Sequence, residues 1–359
     1  MSPVTRIPEK GRGALSNPEG RFETRRRENF DDGWDREEEP LPPLETTVTP
    51  EPARSIISRN QSPDIPFEQS INPYRGCEHG CIYCYARPSH AYVNLSPGLD
   101  FETKLFYKEH AAELLEQELR KPGYRPSPIT LGANTDPYQP IERQLKVTRS
   151  ILEVLQRFRH PVSIVTKSTL VVRDLDILAD MAKLNLASVM VSITTLDENL
   201  KRSLEPRAAG PWARLRTLRA LAVQGVPVGV LNAPIIPVVN DREMEQILEL
   251  AAEAGACCAG YVLLRLPYEV KDLFHEWLEA HLPERATHVM SIIRQMRGGK
   301  DYQSGFGTRM RGTGEYAELI GRRFSLACRK FHLQHGGRTR LSTAHFRLPA
   351  AGPQLDLGL

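Results

Sequence analysis

The chain has 359 residues, 40% of them hydrophobic and 25% charged, values of an ordinary globular protein that exclude a disordered, collagen-like or multi-span membrane chain. Its formal net charge of +3 is too small to imply a nucleic-acid partner by itself. Six cysteines, three of them crowded between residues 77 and 84, do not read as a disulfide framework. In a cytosolic chain they read as metal binding or redox chemistry. The N-terminus lacks the apolar run of a secretory signal, so a cytoplasmic, non-membrane protein is expected.

Residues 1–66 hold ten of the 28 prolines and the charge runs Arg25-Arg26-Arg27 and Glu37-Glu38-Glu39, with no apolar period. Such a segment buries too little surface to offset its ordering entropy. It is expected to be disordered, with local pinning near Ile56 and Ile57.

From residue 67 onward, apolar runs alternate with amphipathic patterns. The runs at 69–74, 128–134, 162–167, 187–194, 226–232 and 260–266 are mostly continuous Val, Ile and Leu, the pattern of strands buried on both faces in a parallel sheet. Helices are expected at 109–120, 144–157, 174–183, 211–224 and 241–254, with Asp241 as an N-cap and Gly225 and Gly255 ending their helices. Six βα units of roughly 40 residues each are too few for a complete barrel of around 250 residues. An α/β fold is expected, either an open partial (β/α)6 barrel or a doubly wound open sheet. The core is set at 67–299. Residues 300–359 form a basic C-terminal extension with ten basic and four acidic residues. In it, 305–316 (GFGTRMRGTGEY) is a weak phosphate-loop candidate because no strand precedes it. A basic helix is expected at 315–331, with Tyr316, Leu319, Ile320 and Phe324 as its apolar face, and the last twenty residues read as a loose tail.

The most informative segment directly follows the first strand. Cys77, Cys81 and Cys84 are spaced C-x3-C-x2-C, so three thiolates can face one point. Gly76 and Gly80 let the loop wrap an object larger than one ion. Thiolates suit zinc or an iron–sulfur cluster. A structural zinc site wants four protein ligands, and no second Cys pair with such spacing exists: Cys257 and Cys258 read as core residues near a helix end, and Cys328 stands alone. A zinc site completed by His79 or a distant histidine, in a non-enzymatic module, remains the alternative. A cubane [4Fe–4S] cluster on three cysteines keeps one iron open for a small ligand.

With Tyr83 as the aromatic residue before the third cysteine, this segment resembles the signature of radical S-adenosylmethionine (SAM) enzymes. NPYRGCEHGCIYCYAR, then LGANTDPYQPIE, VTKS and APIIP resemble the branch related to spore photoproduct lyase, often labelled DNA-repair-photolyase-like. The resemblance implies a partial (β/α)6 barrel, a [4Fe–4S] cluster on Cys77, Cys81 and Cys84, and SAM as co-substrate. It also implies an electron donor such as flavodoxin or ferredoxin. It places Tyr83 beside the adenosine, Thr135 with Asn134 and Asp136 at the SAM amino group, and Lys167 and Ser192 at its carboxylate. Glu205-Pro-Arg207 resembles a further motif for ribose or carboxylate, with a surface salt bridge as the plainer reading, and Ala233 begins the segment against adenine. Tyr85 matches a tyrosine of the hydrogen-atom relay. One departure is that the hydrogen-donating cysteine of the Bacillus-type lyase is replaced by Ala133. The implied activity is cleavage of SAM to a 5′-deoxyadenosyl radical acting on an unidentified substrate. Repair of thymine photoadducts in DNA, a nucleic-acid substrate, is the alternative.

Overall fold

The computed structural model describes residues 9–23, 44–336 and 339–349. Its strands are β1 (Thr47–Pro50), β2 (Ile57–Arg59), β3 (Gln69–Ile71), β4 (Tyr74–Arg75), β5 (Lys104–Tyr107), β6 (Ile129–Leu131), β7 (Val162–Thr166), β8 (Ala187–Ser192), β9 (Val228–Ile235), β10 (Cys258–Leu263) and β11 (Gln334–His335). Eight of them form one sheet in the order β11-β10-β9-β8-β7-β6-β3-β2, and β1, β5 and β4 form a small second sheet. From β3 to β11 every neighbour is parallel, and only the edge strand β2 runs antiparallel. The sheet is therefore α/β in character and open, with β2 and β11 as its edges.

The continuous apolar runs have the burial expected of them. All of β8 is buried, as are Val162 and Ile164 of β7. Helices cover the crossovers: Ala111–Leu119, Val147–Arg157, Leu175–Ala182, Pro211–Val223 and Met244–Glu253. Crossover connections of this kind bring the C-terminal ends of parallel strands to one edge of the sheet. That edge carries the cysteine loop after β3, Gly132–Asp136 after β6, Lys167 after β7, Thr194 after β8 and Arg265 after β10.

Several local expectations are corrected. The run 69–74 is divided between two sheets, because Pro73 cannot donate to a ladder and the chain turns away at Asn72. Asp241 does not cap the helix it precedes. It accepts a hydrogen bond from the Tyr316 hydroxyl at 2.6 Å, and a short 3-10 turn separates it from Met244. Cys257 is exposed and Cys258 lies inside β10, so only Cys258 is a core residue. The helix Glu315–Lys330 buries Ile320 and Phe324 but leaves Leu319 exposed. The tail is not loose as far as 349: Phe346 packs on Tyr124, Phe158 and His160, and the Arg347 amide donates to the Phe158 carbonyl. Residues 350–359 lie outside the described residues. Helices Val270–His281 and Pro283–Gln295 add a buried layer of Phe274, Trp277 and Met290. Among the described residues no helix is long and apolar enough to cross a membrane.

The expectation of disorder over 1–66 fails for two stretches. Residues 44–66 supply β1 and β2, and 9–23 lie as a strap against the cysteine loop, with Ala14 fully buried. What the composition conceals is a polar anchor. The buried Glu102 carboxylate accepts the Gly13 amide at 3.0 Å and the Ala14 amide at 2.9 Å. Residues 1–8 and 24–43 lie outside the described residues.

Candidate functional site

A cavity of about 490 Å³, lined mainly by apolar atoms, opens at the C-terminal strand ends. It brings together eleven of the residues singled out in the sequence, Cys77, Cys81, Cys84, Tyr83, Tyr85, Asn134, Thr135, Asp136, Lys167, Ser192 and Ala233, whereas Glu205 and Arg207 are not among its lining residues.

The cysteine loop is held rigidly. Arg87, wholly buried, donates to the carbonyls of Cys81 at 2.9 Å, Gly80 at 3.2 Å and Gly98 at 2.9 Å, and pairs with Glu102. The strap presses on the same loop: a Cβ on Gly13 would stand 1.9 Å from the Gly80 carbonyl oxygen. Gly80 itself has φ +67° and faces Glu102, so a side chain there would be both strained and obstructed. The three cysteines are unpaired thiols. Burial pushes the Cys81 thiol up to about 12 and the Cys77 thiol well above its ordinary value, in the latter case with help from the nearby Asp136 charge. A metal group that binds here must displace those protons.

The donor set fits a [4Fe–4S] cluster: three soft sulfur donors on one fixed loop, all facing one cavity, with no fourth protein thiol. Among the described residues no three His, Cys, Asp or Glu side chains are set to hold a single metal ion. His79 lines the same cavity. Its Nδ1 lies 3.4 Å from Asp136 Oδ2.

Asp136 is committed to internal bonds. It accepts the Lys167 amide at 2.7 Å, the Thr166 hydroxyl at 2.7 Å and the Tyr138 amide at 2.8 Å. Burial alone would raise its pKa, but His79 and these bonds outweigh it and hold the carboxyl below its usual value. Asp136 thus joins the ends of β6 and β7. Thr135 is also buried and donates to the Tyr74 carbonyl at 3.0 Å. The Asn134 amide is fixed by the Asn72 side chain at 3.0 Å.

The opposite wall centres on Lys167. Its ammonium donates to Ser192 Oγ at 2.7 Å and the Ala233 carbonyl at 3.2 Å, and lies 3.4 Å from Glu205 Oε1. Glu205 is 0% exposed, so it is not the surface salt bridge of the plainer reading. It also meets Arg214 and accepts from Tyr83 and Thr194. Burial would raise its pKa, yet Arg214 and Lys167 hold it well below the carboxylate range. Arg207 points elsewhere, to Glu78 at 3.0 Å. The hydroxyl of Tyr85 donates to the Ala133 carbonyl. Tyr85 remains 46% exposed at the mouth, its ring under the Arg265 guanidinium at 5.2 Å.

Sequence reasoning missed Arg214, Thr194 and Arg265. Arg214 lies in a helix whose apolar pattern gave no reason to bury a charge. Its signal is chemical: a buried Glu205 requires a buried cation.

Comparison with known proteins agrees with this geometry. The family model described as the Radical SAM superfamily matches residues 71–251. Uncharacterized proteins of Mycobacterium bovis and Mycobacterium tuberculosis are 36% identical over 233 residues, covering 64% of this chain and 68% of theirs. An uncharacterized protein of Methanocaldococcus jannaschii is 30% identical over 214 residues, covering 60% of this chain and 76% of its own. The chain belongs to the radical SAM superfamily. Membership makes it, in general terms, a SAM-cleaving enzyme, and the family implies an iron–sulfur cluster. Among solved structures, spore photoproduct lyase complexed with dinucleoside spore photoproduct has a similar fold, with a TM-score of 0.56, 15% identity, and coverage of 81% of this chain and 82% of that one.

Proposed function

We propose that Cys77, Cys81 and Cys84 hold a [4Fe–4S] cluster and that SAM lies across the ends of β6 to β9. On this reading the strands β3 and β6 to β10 are a partial (β/α)6 barrel with its core at 67–299. The observation that carries the reading is the position of three fixed, unpaired thiols facing a lysine across one apolar cavity. Bound there, the reduced cluster supplies the electron that cleaves SAM to methionine and a 5′-deoxyadenosyl radical.

The chain's own residues do the rest. Lys167, oriented by Ser192 and Glu205, offers a point charge to the SAM carboxylate. Thr135 and Asn134 lie at the amino-group end, and Asp136 is a positioning residue that fixes the backbone between them and Lys167. Tyr83 supplies an aromatic face for the adenosine. Ala233 and Pro234 allow close backbone approach on the adenine side. The apolar walls exclude water and stray hydrogen donors. Tyr85, at the mouth, is the hydrogen-atom relay residue of this reading, with Ala133 where the Bacillus-type lyase has cysteine. The electron would come from a donor such as a flavodoxin or ferredoxin. Thymine photoadducts in DNA are the substrate suggested by the fold likeness to the lyase.

Anaerobic reconstitution tests the reading. Wild-type protein should hold about four iron and four sulfide per chain and release 5′-deoxyadenosine from SAM under dithionite. Cys81→Ala should lose both, while Cys257→Ala keeps both. A fully loaded Cys81→Ala protein, or a loaded wild type that leaves SAM intact, would refute it.

A further inference from the structure

The glycine-rich run 305–316 has no strand before it, yet it is not a free loop. It folds back along the end of β10, where the Leu263 amide donates to the Met310 carbonyl at 2.9 Å. Arg297, itself buried, fastens it from beneath by donating to the carbonyls of Thr308 at 3.0 Å and Arg309 at 2.9 Å, and to Leu264 at 2.7 Å. The result is that Arg309 and Arg311 join Arg265 on the cavity wall.

These three cations are not equivalent. Arg309 is neutralised by Asp64 at 2.6 Å. Among the described residues, Arg265 and Arg311 have no carboxylate partner. Arg265 reaches Met310 Sδ at 3.1 Å and the face of Tyr85, and its Nε is buried without a hydrogen-bond acceptor. Arg311 lies 5.9 Å from the Tyr261 ring. The two carboxylates that line the cavity are Asp64 and Asp136, and both are already engaged. Two uncompensated guanidiniums beside aromatic rings at the mouth of an apolar cavity call for an anion. They come from two separate segments, which suits an anion whose charge is spread over several oxygens. A single carboxylate would be satisfied by one arginine fork.

We propose that Arg265 and Arg311 form an oxyanion subsite that holds a phosphate of the substrate at the β10 side of the cavity. The inference rests on the proposed assignment of the β6 to β9 side to SAM. The phosphate belongs either to a terminal phosphate ester or to a phosphodiester within a strand.

The test uses cluster-loaded full-length protein with three probes: thymidine, thymidine 5′-monophosphate and a short fluorescein-labelled oligothymidylate. The wild type should bind the phosphate-bearing probes and not thymidine. Binding of the oligomer alone assigns a phosphodiester, and binding of the monophosphate as well assigns a terminal phosphate. Arg265→Gln with Arg311→Gln should weaken that binding by about tenfold or more. It should also make the salt dependence for the strand shallower by roughly 0.7 per arginine. Arg311→Gln alone, on the exposed loop, should give part of the effect, and the paired lysine variant should recover much of it. Thymidine bound as tightly as its phosphate, no phosphate-bearing probe bound, or arginine variants that bind like wild type would each overturn the proposal. SAM binding to the same proteins is read separately. A wild type that fails to bind SAM but shows arginine-dependent phosphate binding refutes the SAM assignment and leaves the oxyanion subsite standing.

Discussion

Glu205 binds the Lys167 wall of the cavity, the side proposed for SAM, to the interior, because it is the buried anion against which both Lys167 and Arg214 are set. Removing one partner of a buried ion pair costs about 3–5 kcal/mol, since the other charge is left uncompensated. Arg214 also donates to the Ser192 carbonyl at 2.9 Å. Arg214→Leu should therefore lower the urea midpoint strongly and weaken SAM binding together. A variant with wild-type midpoint and affinity would show that the pair is dispensable. Lys167→Ala differs, because Arg214 still neutralises Glu205. It should keep its cluster and most of its stability while losing roughly 1.5–3 kcal/mol of SAM binding, the usual contribution of a charged hydrogen bond. That loss is about tenfold or more in Kd. Ser192→Ala should show a milder loss, and equilibrium dialysis with labelled SAM decides. Unchanged affinity in Lys167→Ala would place the lysine outside the site.

At the scale of elements, the parallel strands and the cysteine loop were legible, because continuous apolar runs and C-x3-C-x2-C spacing are local signals. The strap at 9–23 was not. Its attachment is made of hydrogen bonds to distant segments, among them the Gly13 and Ala14 amides to Glu102, Ser16 Oγ to Glu276 and the Asn17 side-chain amide to Asp100, and composition carries no trace of that. The same limitation hid Arg214 and the return of the loop 305–316 onto β10. Both depend on partners from distant segments, and neither has a periodic pattern. The strap bears on truncation. Deleting residues 1–60 removes two donors from the buried Glu102, and Glu102 holds Arg87, which in turn holds the cysteine loop. Iron content after reconstitution should fall well below wild type, and Glu102→Gln should reproduce part of the defect in the full chain. Full iron content in the truncated protein would show that Arg87 and Glu102 suffice.

For the whole molecule, two buried histidines set an acid limit. Burial lowers His90 and His160 to about 4, against an ordinary value of about 6.5 in the unfolded chain. Between these values the unfolded chain binds protons that the fold refuses. Stability is thus full above pH 6.5 and declines as pH falls toward 4, by up to about 3 kcal/mol for each histidine. His160, held between the Pro161 carbonyl at 3.0 Å and the Tyr124 hydroxyl at 2.8 Å, is the cleaner probe because it is remote from the cysteine loop in sequence. His160→Gln should lose stability at pH 7 yet show a smaller further loss at pH 4.5 than wild type. Parallel urea midpoints across that interval would contradict the assignment.

The strap also has a consequence for access to the thiols. The strap is held mostly by polar contacts, among them Ser16 to Glu276, Asn17 to Asp100 and Arg21 to Glu269, with Ala14 as its fully buried apolar residue. The strands β7 to β9 are laced to neighbours on both sides. The strap should therefore be a separate opening unit that detaches and reattaches while the sheet stays intact. Amide exchange at Gly13 and Ala14 should be far faster than at Val189 and Val191, and protection equal to that of β8 would show that strap and sheet open as one. A strap that opens on its own would uncover the cysteine loop while the sheet stays folded, so the cluster proposed for it would be installed or replaced without unfolding the chain.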